Sequence, residues 1–243
     1  MKILSGVTRP DAGRLTVAGT PVRLNHPRAA ADLGIAIVAQ ELALFPDLTV
    51  LENLFCGQPP TRWGLVSRAR MATRAAGVLD ELGLGGSPAA RVGTLSLADR
   101  QLVEVSRALL ADPRVLILDE PTSALPAPAV DRLTGVRRRV ADRGIAVLYI
   151  SHILEEVRQI AGRVTVLRDG RVVTSGVPVA ELSLDDLVTA ILGHRAADQP
   201  PGKRLKPASK PAERLEQAPR PAERQLLMRL WEVPQSCSAK FPT

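Results

Sequence analysis

Residues 114–125 read Arg-Val-Leu-Ile-Leu-Asp-Glu-Pro-Thr-Ser-Ala-Leu. This stretch carries the strongest structural signal in the sequence. Its four consecutive apolar residues, 115–118, predict a strand that is buried on both faces, as strands of parallel sheets are. Such a strand delivers Asp119 and Glu120 to the carboxyl edge of the sheet, where open α/β folds bind their ligands. Asp119 could hold Mg²⁺ there, directly or through water, and Glu120 could orient and deprotonate an attacking water. A strand that ends in a solvated acidic pair is the alternative, and the Pro-Thr-Ser-Ala-Leu that follows favours the functional interpretation.

Short apolar runs alternate with longer helical patterns on both sides of this strand. The alternation predicts an α/β domain with a mostly parallel sheet. The other strand candidates are residues 15–17, 35–38, 146–150, 164–167 and 171–174. The helix candidates are residues 50–55, 68–82, 100–110, 129–141, 154–160 and 184–192. Helical patterns dominate residues 41–111, approximately, which indicates an inserted helical subdomain.

Three further segments carry polar side chains at the ends of predicted elements. Ser96 precedes an apolar helical pattern and, with Asp99 three residues on, predicts an N-cap and a capping box. A helix N-terminus of this kind also favours anions such as phosphate. His152 ends a strand candidate at the edge that carries Asp119, where a histidine could bond a phosphate group. Gln40 also follows a strand and could touch Mg²⁺. Taken singly, a capped structural helix, a polar strand end and a solvated loop glutamine are the favoured interpretations.

Together, and in this order along the chain, the four segments resemble the ATP-binding-cassette (ABC) ATPase family. Gln40 is similar to the glutamine of the family's Q-loop. Residues 95–99, Leu-Ser-Leu-Ala-Asp, resemble a degenerate form of its signature sequence. Asp119 and Glu120 resemble the Walker B aspartate and the catalytic glutamate, and His152 resembles the switch histidine. The resemblance implies a P-loop NTPase-like α/β fold that uses ATP and Mg²⁺.

Each matched residue receives a role from this resemblance, which covers essentially residues 1–194. Glu120 and His152 are implied as catalytic residues, and Gln40 and Asp119 as the residues that contact the metal. Contacts to the nucleotide are implied for the following residues: Gln40, Ser96, Leu97, Ala98 and Asp119. Ser96 is expected to face the nucleotide that a second cassette holds.

Residues 40–55 and 95–104 narrow the resemblance further. They look like the first cassette of tandem-cassette monosaccharide importers, whose substrates include ribose, galactose, xylose, rhamnose and autoinducer-2. The implied partners are transmembrane permease subunits, a second ABC cassette and, indirectly, a periplasmic sugar-binding protein. The loop at residues 44–46 falls where the family receives the permease. The resemblance implies a cytoplasmic chain that is peripheral on the inner face of the cell membrane.

The phosphate-binding loop of the family, G-x-x-x-x-G-K-[ST], is absent from the 243 residues. Its lysine neutralises the β and γ phosphates and its Ser or Thr holds Mg²⁺, and residues 3–202 contain no lysine. Residues 1–13 resemble the stretch directly after that loop, so Lys2 does not match the loop lysine and we expect an N-terminal truncation. We expect a sheet that lacks the phosphate-loop strand and exposes apolar edges. We also expect that this polypeptide alone neither binds nor hydrolyses ATP.

The signature segment departs from the family as well. Leu97, Ala98 and Asp99 stand where family cassettes usually have Gly-Gly-Gln, so side chains hinder the approach of the backbone to phosphate. Two alternatives to a sugar-importer ATPase therefore stay open. One is a non-catalytic, truncated cassette with at most a docking role. The other is a soluble ABC ATPase that is not linked to transport, against which residues 40–53 favour the importer.

The net positive charge is distributed unevenly along the chain. Residues 1–194 hold 22 Lys and Arg against 20 Asp and Glu, which is +2 of the total of +7. Residues 195–243 hold 10 against 5, and their many prolines predict a basic tail or linker that is disordered. Within the tail, a solvated segment is favoured over a short helix at residues 222–232. Because aromatic residues make up only 2% of the chain, base stacking is not expected, and nucleic acid is not predicted as a partner. Two widely separated cysteines, Cys56 and Cys237, fit a reducing compartment.

Overall fold

The computed structural model describes residues 1–123, 125, 127–193 and 226–230. Along the chain the strands are β1 (Leu15–Val17), β2 (Thr20–Val22), β3 (Ile35–Val38), β4 (Thr61–Arg62), β5 (Leu65–Val66), β6 (Val115–Asp119), β7 (Ala146–Ser151), β8 (Arg163–Arg168), β9 (Arg171–Pro178) and β10 (Leu226–Leu230). The helices are α1 (Pro27–Asp32), α2 (Val50–Leu54), α3 (Arg68–Glu81), α4 (Leu97–Leu109), α5 (Ala127–Asp142), α6 (Leu154–Ile160) and α7 (Leu184–Leu192). Short 3₁₀ turns lie at Val92–Thr94 and Val179–Glu181.

The main sheet has the strand order β3-β6-β7-β10-β8-β9. β6 pairs in parallel with β3 on one side and with β7 on the other. β10 is antiparallel to both of its neighbours, and β8 and β9 form an antiparallel pair. Two separate hairpins are made by β1 with β2 and by β4 with β5. The α/β class is as predicted. Among the described strands, the parallel pairing joins β3, β6 and β7.

The strand β6, which lies between β3 and β7, supplies side chains to two apolar clusters. Leu116 and Leu118 belong to the larger cluster, which also takes the buried face of α4, whereas Ile117 joins the smaller cluster with Ile35 and Ile150. Successive side chains of a strand point to opposite faces, so the run of apolar residues places a core on each side of the sheet. The side chains of Leu116, Ile117 and Leu118 are at most 2% exposed, so this strand packs into the cores on both faces of the sheet.

Side-chain caps determine where the helices of residues 41–111 begin. The hydroxyl of Thr49 accepts a hydrogen bond from the N–H of Glu52, whose carboxylate accepts one from the N–H of Thr49, so α2 begins with a capping box. The hydroxyl of Ser96 accepts a bond of 3.1 Å from the N–H of Asp99, so the predicted N-cap of α4 is confirmed. α4 therefore begins at Leu97, three residues before the predicted start.

The remaining strand and helix candidates agree with the structure to within a few residues. Sequence reasoning missed three short elements, namely β2, α1 and the hairpin of β4 and β5. Two or three residues carry too little periodicity to predict a strand. None of the helices in the described ranges combines the length and the apolar character that crossing a bilayer would require.

β10 corrects the expectation for residues 222–232. Neither the short helix nor the solvated segment is present at Leu226–Leu230, which forms a strand inside the main sheet. Met228 stands opposite Tyr149 of β7 and opposite Val164 of β8. The expected exposed edge is also wrong at this place, because β10 pairs with strands on both of its sides. The reason is physical: unpaired backbone groups within a sheet are costly, and a segment of the same chain can satisfy them.

Proline at position 228 tests this pairing. Met228→Pro removes a backbone N–H from an interior strand and should lower the free energy of unfolding by about 3 kcal/mol. Chemical denaturation followed by circular dichroism measures the change. Ala208→Pro is the matched control, because the chain around it already has prolines at positions 200, 201, 207 and 211. Equal unfolding midpoints for the two variants would show that β10 does not support the sheet.

Candidate functional site

The carboxyl edge of the parallel strands brings three of the predicted site residues together. Glu120 directly follows β6, His152 directly follows β7, and Gln40 lies two residues after β3. One carboxylate oxygen of Glu120, Oε2, lies 3.4 Å from Nε2 of Gln40 and 3.3 Å from Nδ1 of His152. Because parallel strands end at the same edge, residues that are 80 and 32 positions apart in sequence meet at one carboxylate.

The backbone at Glu120 turns sharply out of the sheet. Its φ is +46°, in the left-handed region that costs a residue with a side chain about 1 kcal/mol. The N–H of Glu120 donates to the carbonyl oxygen of Ile150 at 3.0 Å, which extends the pairing of β6 with β7 by one residue. The hydroxyl of Ser123 and its N–H both donate to the carbonyl oxygen of Glu120, at 3.1 and 3.3 Å. These bonds hold the Glu120 carboxylate at the edge despite the unfavourable φ.

The contacts around the Glu120 carboxylate are weak enough to exchange for a ligand. Distances of 3.3 and 3.4 Å are at the long end for hydrogen bonds. The side chain of His152 is 55% exposed, so solvent screens its attraction to Glu120. A polar ligand that enters this edge can therefore replace either partner at little cost.

Asp119 occupies the last position of β6, opposite Ile150 of β7. It lines a cavity of about 490 Å³ together with Lys2 and with apolar residues of β3 and α1. The carboxylate of Asp119 and the amide oxygen of Gln40 are oxygen donors of the kind that Mg²⁺ prefers. The chain does not contain the Gly-rich loop with its lysine that would hold the phosphates of ATP. The residues present therefore fit the metal and the attacking water better than they fit the triphosphate.

The signature residues lie apart from this edge, at the N-terminus of α4. The hydroxyl of Ser96 donates to the Asp99 carboxylate at 2.7 Å, so its side-chain bonds stay within the first helical turn. The same carboxylate forms an ion pair with Arg132 at 3.2 Å. Leu97 is 42% exposed and Ala98 is half-buried, so this helix end presents apolar side chains to solvent.

A buried carboxylate that sequence reasoning missed connects the two segments that flank the site. Oε2 of Glu156 in α6 accepts hydrogen bonds from the hydroxyls of Thr122, Tyr149 and Ser151, at 2.8, 3.0 and 3.2 Å. The Ser151 hydroxyl in turn accepts from the N–H of Ile153 at 3.0 Å. Thr122 follows Glu120 by two residues and Ser151 precedes His152, so one carboxylate ties both turns together. The only signal in the sequence was the position of Glu156, four residues before Ile160 and therefore on the inward face of α6.

The loop that follows Gln40 is held by two further buried polar side chains. Asn53 is fully buried; its Oδ1 accepts from the N–H of Phe45 at 2.8 Å and its Nδ2 donates to the carbonyl oxygen of Phe45 at 3.0 Å. Glu104 of α4 accepts from the N–H of Ala43 at 2.8 Å and from Arg107 at 2.7 Å. Burial raises the pKa of Glu104, against the opposing effect of the Arg107 guanidinium and the Ala43 N–H. The pKa of Glu52 in the adjacent capping box is lowered, chiefly by the hydrogen bond from the backbone of Thr49.

An α/β sheet that collects these side chains at its carboxyl edge defines a protein of the P-loop NTPase-like class. The sequence model of the family described as "ABC transporter" matches residues 1–123, which is half of the chain. An ATP-binding cassette of an ABC transporter, MJ1267 in its ADP conformation, has the same fold, with a TM-score of 0.68 at 24% identity over 79% of this chain and 82% of that one. The chain belongs to the ABC transporter family.

Two curated relatives have names that mention sugars. The "Ribose import ATP-binding protein RbsA 1" of Rubrobacter xylanophilus is 44% identical over 207 residues, 85% of this chain and 41% of that relative. The "Arabinose import ATP-binding protein AraG 2" of Burkholderia ambifaria is 44% identical over 198 residues, 82% of this chain and 38% of that relative. The chain therefore spans about two fifths of the length of the curated relatives that it matches.

Replacing Glu156 tests how the two turns are held. Glu156→Ala leaves three hydroxyls without their shared acceptor and should lower the free energy of unfolding by about 3 kcal/mol. Glu156→Gln keeps one acceptor oxygen and should cost about 1 kcal/mol. Urea denaturation measures both variants. The exposed neighbour provides the control, because Glu155→Ala should change stability by no more than about 0.5 kcal/mol. A Glu156→Ala variant as stable as this control would contradict the assigned network.

Proposed function

We propose that the chain acts in the ATP-binding, energy-coupling subunit of a sugar ABC importer. The meeting of Gln40, Glu120 and His152 at one carboxylate oxygen is the observation that carries the proposal, since hydrolysis needs a base and polar groups at one point. The names of the ribose and arabinose import relatives support sugar as the transported substrate. They favour this role over a soluble ABC ATPase that is not linked to transport.

Each site residue has a distinct task in this proposal. Glu120 orients the attacking water and accepts its proton, and His152 donates a hydrogen bond to the terminal phosphate. Gln40 and Asp119 would supply oxygen atoms to Mg²⁺, which would contribute positive charge beside the phosphate oxygens. At the N-terminus of α4, Ser96, Leu97 and Ala98 face the nucleotide held by a second cassette. Because Leu97 and Ala98 add side chains there, we expect this second contact to be weak.

The proposed permease contact lies on the loop that follows Gln40. Phe45 is 53% exposed and Leu48 is 37% exposed, while Asn53 beneath them is fully buried and fixes the loop backbone. A rigid loop that presents apolar side chains is suited to receive a permease segment and to transmit its movement to Gln40. This location puts the chain on the inner face of the membrane, with the periplasmic sugar-binding protein as an indirect partner.

The second candidate is a non-catalytic cassette that only docks on a permease or on another cassette. A docking role needs no phosphate-binding loop, and these 243 residues contain neither that loop nor a lysine within residues 3–202. On either proposal, this polypeptide alone should neither bind nor hydrolyse ATP to a measurable extent. The two proposals differ in what happens when a phosphate loop is supplied.

An ATPase assay separates the two candidates. A phosphate-loop segment joined ahead of Met1 should give Mg²⁺-dependent ATP hydrolysis, whereas the 243-residue chain should give none. In that chimera, Glu120→Gln should reduce hydrolysis at least about a hundredfold and leave ATP binding intact, because a general base is lost. Glu41→Gln, which changes the exposed glutamate next to Gln40, is the control and should leave hydrolysis unchanged. A chimera that binds ATP without hydrolysing it would support the docking role, and hydrolysis that is indifferent to Glu120 would refute its assignment.

A further inference from the structure

The hairpin of β4 and β5 projects three large apolar side chains into solvent. All six of its residues, 61–66, are exposed. Trp63 at the tip is 90% exposed, and Leu65 and Val66 behind it are 75% and 56% exposed. Exposed apolar residues that occur singly are common, but three within four positions at the tip of one hairpin indicate a surface that meets a partner.

The turn of this hairpin is built at a cost that packing does not return. Trp63 and Gly64 have φ angles of +55° and +80°, so both central residues are in the left-handed region that a type I′ turn requires. Glycine adopts this region freely and asparagine tolerates it, but a bulky side chain there is an outlier. Because Trp63 is 90% exposed, the protein itself gains almost no apolar burial from this residue. A tryptophan at a position where a type I′ turn favours asparagine is therefore explained by contact with a partner outside the chain.

The hairpin and the start of α3 carry arginines, of which Arg68 is paired with Glu52. Residues 53–79 contain four arginines and no aspartate or glutamate. Arg62 is exposed and stands opposite Leu65 across the hairpin, so a cation and an apolar side chain share one face. Arg70 is exposed, and its guanidinium donates a hydrogen bond of 3.0 Å to the carbonyl oxygen of Thr61. The hairpin thus combines a tryptophan tip, aliphatic side chains and arginines, which is the combination that favours a membrane interface.

We propose that the β4–β5 hairpin docks on the surface of a bilayer that contains anionic phospholipid. Trp63 and Leu65 enter the headgroup region, and Arg62 and Arg70 bind lipid phosphates. The N–H of Ser67 donates to the carbonyl oxygen of Pro60 at 2.9 Å at the base of the hairpin, and α3, which follows, packs Met71 and Leu79 into the core. Docking of this kind needs neither ATP nor a permease, so it can fail or succeed independently of the proposed transport function.

Tryptophan fluorescence on vesicles tests the proposal in the full chain. The sequence contains only two tryptophans, so Trp231→Phe makes Trp63 the sole reporter. On vesicles of phosphatidylglycerol with phosphatidylcholine, the emission of Trp63 should shift to shorter wavelength and become shielded from acrylamide. Pure phosphatidylcholine vesicles should give neither change, and high salt should reverse the binding. If the chain sediments with anionic vesicles while Trp63 remains accessible to acrylamide, the basic tail alone binds and the proposal is overturned.

Variants of the hairpin separate recognition from folding. Trp63→Asn suits the type I′ turn, so it should keep or raise the unfolding midpoint while weakening co-sedimentation at least about tenfold. Arg62→Gln should weaken it about fivefold, as expected for one arginine near an anionic surface. Val172→Asn removes an apolar side chain that is 59% exposed on β9 and should leave binding unchanged. A Trp63→Asn variant that binds as tightly as the parent chain would overturn the proposal, and the hairpin would then be assigned to a protein partner.

Discussion

The parallel pairing of β6 with β3 and β7 is the interaction on which the rest of the structure depends. Three strands that run in one direction end at one edge, and the residues that follow them meet there without any further device. The pairing also buries Leu116, Ile117 and Leu118 on the two faces of the sheet. Roughly 1.5–3 kcal/mol for each fully buried side chain makes this strand a large contributor to stability. Stability and the position of Glu120 thus come from the same five residues.

Buried polar groups then set the loops that the sheet leaves free. Asn53 holds the loop after Gln40, and Glu156 joins the turn after Glu120 to the end of β7. Both side chains satisfy several backbone or hydroxyl groups that would otherwise be buried without partners. Asn53 fixes the loop at Phe45, and Glu156 fixes Thr122 and Ser151, which are close in sequence to Glu120 and His152. Such groups give each loop a defined position.

Much of the fold could be predicted from local pattern. The apolar run before Asp119 and the helical spacing in α4, with Ser96 as its cap, both predicted the elements that the structure contains. The sequence order of the motifs indicated the family, which the matches to ABC transporters confirm. The edge location of Glu120 and His152 followed from strand direction alone. The predictable features were therefore those that depend on residues close in sequence and on the direction of parallel strands.

The features that escaped prediction depend on contacts between distant residues. The residues near Glu156 in sequence do not indicate that Thr122, 34 residues away, donates a hydrogen bond to it. The hairpin tip at Trp63 lacks the Asn-Gly signal by which type I′ turns are recognised. Leu226–Leu230 has neither neighbour in the sheet close to it in sequence, so its composition predicted a tail where the structure has an interior strand.

A crystal structure of the 243-residue chain is the most direct test of this account, because it measures the arrangement at the sheet edge. We expect Oε2 of Glu120 to lie within hydrogen-bond reach of both Nε2 of Gln40 and Nδ1 of His152. We also expect residues 226–230 to separate β7 from β8. A structure in which Gln40 and His152 lie away from Glu120, or in which β7 and β8 pair directly, would contradict this account.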